Sequence, residues 1–201
     1  MREYTVIPVS GNINWDGVPA LASDVPCWLP DAGISMTTKL CYDSENLYVL
    51  QACTEKNILA RFTGSTDSVC NDSCMELFFA PVEGDRRYIN FETNPNGALY
   101  VAIGEGRYDR IRLLALGPKE VFEIQTERTE KGWTAQYRIP VSFLRTLFYG
   151  FSGFKRGMVI MANAYKCGDE TVIPHYLAWN PVKCSVPDFH RSCDFGKLIL
   201  G

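Results

Sequence analysis

Histidine is nearly absent: the 201-residue chain has only two, His175 and His190. Two histidines exclude a three-His metal centre and leave little room for histidine-driven catalysis. No apolar run approaches the roughly 18 residues that a membrane span needs. The N-terminus, Met1-Arg2-Glu3-Tyr4-Thr5-Val6, lacks the apolar core of about seven or more residues that marks a secretory signal. A cytoplasmic location is therefore expected, or a secreted one if the chain is a fragment. Net charge is only −3, which gives no electrostatic reason to expect nucleic acid or an anionic membrane as partner. Cysteine, at 8 residues in 201, falls short of the roughly 8–10% of a disulfide scaffold.

The cysteines are Cys27, Cys41, Cys53, Cys70, Cys74, Cys167, Cys184 and Cys193. Cys70-x3-Cys74, completed by Cys167, Cys184 or Cys193, invites a zinc reading. Zinc knuckles, however, place their ligands in tight C-x2-C or C-x4-C turns. Cys74 instead enters an apolar run, Cys74-Met75-Glu76-Leu77-Phe78-Phe79, so buried reduced thiols are the favoured expectation and no metal is assigned.

What the chain does have is aromatic content: 11 Phe, 10 Tyr and 4 Trp. Apolar and β-branched runs are short and separated by turn residues, the pattern of an all-β sandwich. Strands are expected at 3–9, 35–42, 46–54, 74–80, 86–94, 97–103, 121–128, 132–139, 157–166, 175–179 and 196–200. Hairpins are expected at Asp43-Ser44-Glu45-Asn46, at Asn94-Pro95-Asn96-Gly97 and at Glu130-Lys131-Gly132. Residues 140–147 read as one short helix with Pro140 at its first turn. Segments 10–33 and 181–195, rich in Pro, Gly and Asp, read as long ordered loops. The expectation is one domain over 1–201: a jelly-roll-like antiparallel β-sandwich with one short helix, immunoglobulin-like in size.

The motifs then fall into a recognisable order. Tyr42-Asp43-Ser44-Glu45-Asn46-Leu47-Tyr48-Val49, Asp72-Ser73-Cys74-Met75-Glu76-Leu77-Phe78 and Tyr88-Ile89-Asn90-Phe91-Glu92-Thr93-Asn94 come first. Gly132-Trp133-Thr134-Ala135-Gln136-Tyr137-Arg138-Ile139-Pro140 follows. The chain closes on Trp179-Asn180-Pro181, Pro187-Asp188-Phe189-His190-Arg191 and Asp194-Phe195-Gly196-Lys197-Leu198. This set resembles family 9 carbohydrate-binding modules and the wider DOMON-like sandwiches. The resemblance implies a non-catalytic module that binds a glucan- or xylan-type sugar by aromatic stacking and hydroxyl hydrogen bonding. It also implies an association with glycan, notably xylan, catabolism. The family's acid falls at Glu76 and its second stacking aromatic near Phe189. Its first stacking Trp falls where this chain has Val69 and Cys70, its next-strand Arg at Glu92, and its later Gln at Met161.

A sugar offers C–H faces and a rim of hydroxyls, so its site wants an aromatic face beside planar polar groups. Alternation puts Cys74, Glu76 and Phe78 on one strand face, and Asn90, Glu92 and Asn94 on one face of the next. The expected ligand-binding set is Glu76, Asn90, Glu92, Asn163, Lys166, Trp179, Phe189, His190 and Arg191. Trp28 is a further stacking candidate, whereas Trp15 reads as an anchor of the N-terminal loop. A solvated sheet face would show the same polar stripe. No cofactor is required, although structural calcium is compatible with Asp43 and Glu45 or with Asp67, Asn71 and Asp72. Two alternatives stand beside this reading. One is glycoside hydrolysis by Glu76 and Glu92, which needs carboxylates ~5–5.5 Å or ~6.5–9.5 Å apart. The other is haem held between a Met (Met36, Met75, Met158 or Met161) and His175 or His190, as in some DOMON-like domains.

Overall fold

The computed structural model describes residues 1–113 and 119–201. In chain order the strands are β1 (Glu3–Pro8), β2 (Ala20–Ser23), β3 (Val25–Pro26), β4 (Ser35–Tyr42), β5 (Asn46–Thr54), β6 (Cys74–Ala80) and β7 (Tyr88–Thr93). There follow β8 (Leu99–Gly104), β9 (Ile111–Arg112), β10 (Gln125–Arg128) and β11 (Gly132–Pro140). The helix α1 (Val141–Leu147) precedes β12 (Val159–Gly168), β13 (His175–Ala178) and β14 (Gly196–Leu200).

The strands form two layers. One runs β10-β11-β5-β4, with β2 along the free side of β4, and the other runs β14-β12-β6-β7-β8-β9. β13 shares the second edge of β12 with β14 and carries β3 beyond it. β1 joins the layers, pairing with β14 over Glu3–Val6 and with β4 over Ile7–Pro8. Both of these pairings are parallel, so the sandwich is mixed rather than wholly antiparallel. The reason is that β1 crosses from one layer to the other between two strands that run its own way.

Turn chemistry sets the registers. The Asp43 carboxylate accepts from the backbone N–H groups of Glu45 and Asn46 at 2.8 Å each and from the Tyr48 hydroxyl at 2.9 Å. That closes the β4–β5 hairpin. Asn94 Oδ1 accepts from the N–H groups of Asn96 and Ala98, while Gly97 takes φ +72°, closing β7–β8. Gly132 sits opposite Thr54, where a Cβ would lie 2.0 Å from the Cys53 carbonyl oxygen, so only glycine allows β11 to approach β5 there.

Alternation then decides which residues enter the space between layers. Leu40, Val49, Leu77, Phe79, Phe91, Trp133, Tyr137 and Ile160 are all buried in the inter-sheet core. Each such side chain is worth about 1.5–3 kcal/mol. Pro140 lies at the N-cap of α1, whose Val141 and Leu144 face the same core.

Three strands depart from expectation. β2 and β3 lie inside the segment read as loop, and β9 follows β8; each is only two to four residues long, too short to show a period. The run 121–128 is a strand only from Gln125, because a 3-10 turn ends at Phe122 and Glu123 takes φ +49°. Fourteen strands among the described residues also exceed the seven to nine of an immunoglobulin domain.

Candidate functional site

The outer face of β6, β7 and β12 is not solvated. Loops fold over it and build a second apolar cluster from Cys27, Val69, Cys74, Phe78, Tyr88, Tyr165, Cys167, Phe189 and Phe195. Phe189 stacks on Tyr165 with ring centres 4.0 Å apart and planes at 11°. Where this cover parts, a pocket of about 100 Å³ reaches down to the strands. Glu76, Glu92, Phe78 and Cys167 form its floor, and Trp28, Tyr176, Phe189 and His190 its aromatic wall.

Glu76 and Glu92 are register partners on β6 and β7. Both carboxyls are almost wholly buried. Burial, with the neighbouring Glu92 charge added, holds the Glu76 carboxyl well above the usual carboxylate range. Burial pushes Glu92 up to about 7. One of the pair therefore keeps a proton near neutrality and can donate to a hydroxyl while the other accepts.

Behind the pair, Asn90 Nδ2 donates to Glu92 Oε1 at 2.7 Å, and Arg110 donates to Asn90 Oδ1. Arg110 lies over the Tyr88 ring, 4.2 Å from its centre, and also donates to the Ala102 and Gly104 carbonyls. Arg110 thus supplies cationic charge behind Glu92.

His190 Nδ1 lies 2.9 Å from the Tyr88 hydroxyl, and its ring packs on Phe78. Burial lowers its pKa to about 4, so the imidazole is neutral at pH 7. Trp28 approaches from the N-terminal loop with its indole N–H donating to the Cys184 carbonyl at 2.7 Å. Its φ of +59° is rare for a tryptophan; Trp28 and Glu123 are the non-glycine residues at positive φ among the described residues. Strain of this kind clusters at functional sites because the surroundings must hold the side chain in place.

The structure thus brings Glu76, Glu92, Phe189 and His190 to one pocket, with Asn90 behind Glu92. It separates the other four expected residues. Trp179 is buried in the inter-sheet core against Gly196 and shows no face to the pocket. Lys166 is on the opposite face of β12, fully buried, where it pairs with Glu55 at 3.1 Å and lies 2.8 Å from His175 Nε2. One residue of strand phase separates Lys166 from Cys167, and that sends its side chain inward. Asn163 braces the loop above, donating to the Asn180 carbonyl and accepting from the Asn180 N–H. Arg191 turns to Asp194, donating through Nε at 2.7 Å. Asn163 and Arg191 therefore hold the segment that presents Phe189 and His190 rather than the ligand.

Trp28, the further stacking candidate, does reach the pocket, and the residues that sequence reasoning left out of the site are Tyr176, Cys70, Cys167 and Arg107. The alternation on β12 that internalises Lys166 also aims Cys167 at Glu76, so that signal was present. Tyr176 and Arg107 carried none, because their segments reach the pocket only through folding.

Asp72 accepts from the backbone of Arg61 and Phe62, from Asn94 Nδ2 and from Arg61 Nε. Met36 and Met75 lie in the inter-sheet core, and His175 Nδ1 lies 2.8 Å from the Ile173 carbonyl oxygen. The cysteines among the described residues are free thiols, five of them buried. No described helix is long and apolar enough to cross a membrane.

The protein is a two-layer β-sandwich whose outer face carries a small aromatic-walled pocket floored by carboxyls. The chain belongs to carbohydrate-binding family 9, whose family model matches residues 29–200. It is a non-catalytic carbohydrate-binding domain. The fold is similar to that of a candidate carbohydrate-binding protein from Bacteroides uniformis ATCC 8492, with TM-score 0.80 and 23% identity over 100% of this chain and 99% of that one. Two structures of a family 9 module from Caldicellulosiruptor kristjanssonii are also similar, each at 15% identity. The complex with glucose has TM-score 0.68 over 100% of this chain and 96% of that one. The complex with cellotriose has TM-score 0.66 over 99% and 93%. At these identities the likeness is one of fold. No curated protein matches the chain.

Proposed function

We propose that the pocket between Trp28, Phe189 and the Glu76–Glu92 floor binds the terminal unit of a gluco-configured glycan. The observation that carries this reading is the pairing of two opposed carboxyls with an aromatic wall in one small pocket. A pocket of about 100 Å³ admits part of one sugar ring, not the middle of a chain. Carboxyls at different protonation states match the donor and acceptor needs of neighbouring hydroxyls. The edges of Trp28 and Tyr176 meet the apolar ring face. A xylan-derived end group has the same equatorial hydroxyl pattern and belongs in the same test.

Isothermal calorimetry with glucose, cellotriose, xylobiose and galactose is the experiment. Glucose and cellotriose are expected to bind with affinities within about tenfold of each other, since one unit makes the contacts, and galactose more weakly. Absence of heat with every sugar in the panel overturns the assignment of this pocket.

A further inference from the structure

We propose that the pocket floor is also a site for a thiophilic divalent cation, zinc in the first instance, held by Cys74, Glu76 and Cys167. Cys74 and Cys167 are register partners on the antiparallel strands β6 and β12, and Glu76 lies two residues along β6 on the same face. Their three donor atoms all lie within 4.8 Å of one another. The Cys167 thiol already donates to Glu76 Oε1 at 3.0 Å. Tetrahedral zinc, with sulfur at about 2.3 Å and oxygen at about 2.0–2.2 Å, places its ligand atoms about 3.6–3.8 Å apart. Side-chain rotations that open the 3.0 Å Cys167–Glu76 pair by roughly 0.6 Å and draw in any donor near the 4.8 Å bound by roughly 1 Å reach that geometry.

The donor set selects the metal. Two sulfurs and one carboxylate suit zinc, cadmium or cobalt, and disfavour calcium and magnesium, which take oxygen ligands. Glu76 and Cys167 line the pocket, which supplies an entry path and a fourth position for water. Cys70 and Glu92 line the same pocket and are the protein groups nearest to hand for that position. The feature goes beyond sugar binding, and its test needs no sugar.

Protons oppose the metal. Burial raises the Cys74 thiol to about 12, and Cys167 is raised by its hydrogen bond with Cys74 together with burial. A bound cation must displace these protons, so uptake releases protons and strengthens as pH rises.

The experiment titrates the full chain, reduced with a phosphine and free of oxygen, with Co²⁺ and then Zn²⁺. One equivalent of Co²⁺ is expected to give thiolate-to-cobalt charge transfer and intense tetrahedral d–d bands, both abolished by Zn²⁺. Cys74→Ser and Cys167→Ser should each weaken uptake by at least about tenfold, whereas Cys193→Ser, on the exposed thiol, should not. X-ray absorption of the zinc-loaded wild type covers the case in which the serine variants fail to fold, and two sulfurs at about 2.3 Å are expected. A folded wild type with no charge-transfer band, or zinc without sulfur neighbours, overturns the proposal. So does uptake lost in Cys193→Ser but kept in the other two.

Discussion

Glu76 and Glu92 stand directly opposite each other on adjacent strands, both with side chains beneath the loop cover and next to no solvent. Two buried carboxyls so placed titrate as a coupled pair, and much of the domain's response to pH follows from it.

Both acids have folded pKa values above their ordinary 4.5, Glu92 reaching about 7. The folded state then holds protons that the unfolded chain gives up, so their contribution is fully present below about pH 4.5 and is lost as pH rises through about 7. His175 and His190 act in the opposite sense. Burial lowers both to about 4 from 6.5, so their contribution is present above 6.5 and is lost as pH falls through about 4. Thermal denaturation should show lower Tm at pH 8 than at pH 6, and Glu92→Gln should flatten that alkaline decline. An unchanged slope in the variant would refute the linkage.

Glu76→Gln replaces a carboxyl by a neutral group of the same shape that can still accept from Cys167. Loss of one neutral hydrogen bond to a hydroxyl, about 0.5–1.5 kcal/mol, predicts glucose affinity lower by roughly 2- to 10-fold. Calorimetry measures it, with near-UV circular dichroism to confirm that the fold is kept.

Trp28→Ala removes one wall of the pocket. Loss of aromatic contact at about 0.5–1.5 kcal/mol beyond area predicts a several-fold to tenfold drop in affinity. Stability should fall less than for a core tryptophan, because Trp28 is only half-buried. Trp179→Ala, in the core, should by contrast cost about 3–5 kcal/mol in urea unfolding.

Lys166→Met leaves Glu55 buried without its cation, although Ser73 Oγ still donates to it at 2.7 Å and the Trp133 indole at 3.3 Å. Breaking such a pair from one side costs about 3–5 kcal/mol. The double variant Glu55→Gln with Lys166→Met should recover part of that loss. Sugar affinity of the folded fraction should stay within about twofold, as expected for a residue on the inner face.

Arg191→Ala should change glucose affinity by less than about twofold but lower stability by about 1–3 kcal/mol, since its partner Asp194 is buried and would keep only the Lys183 backbone N–H. Asn163→Ala, which strands the buried Asn180 backbone, should cost about 1–3 kcal/mol and weaken binding through the loop that carries Phe189. Paired calorimetry and urea titrations separate the two effects.

Local pattern alone determined most of the architecture. The alternation of Cys74-Met75-Glu76-Leu77-Phe78-Phe79 sorted core from outer face correctly, and Asp43, Asn94 and Gly97 marked hairpins, because strand phase and turn conformation depend on neighbours in the chain. The ordered motifs identified the family for the same reason. Tertiary structure decided what the outer face is for. Whether the stripe of Glu76, Asn90 and Glu92 meets water or a protein cover depends on loops roughly 50 to 110 residues away, and these loops bury it, raise the pKa values of its two glutamates and deliver Trp28 from the N-terminal segment. The same closure brought Cys74 and Cys167 together across strands far apart in sequence. Phase on β12 sent Lys166 inward to Glu55, and packing against Gly196 took Trp179 into the core. Those outcomes rest on burial and long-range pairing, whose free energies come from partners that no local window contains.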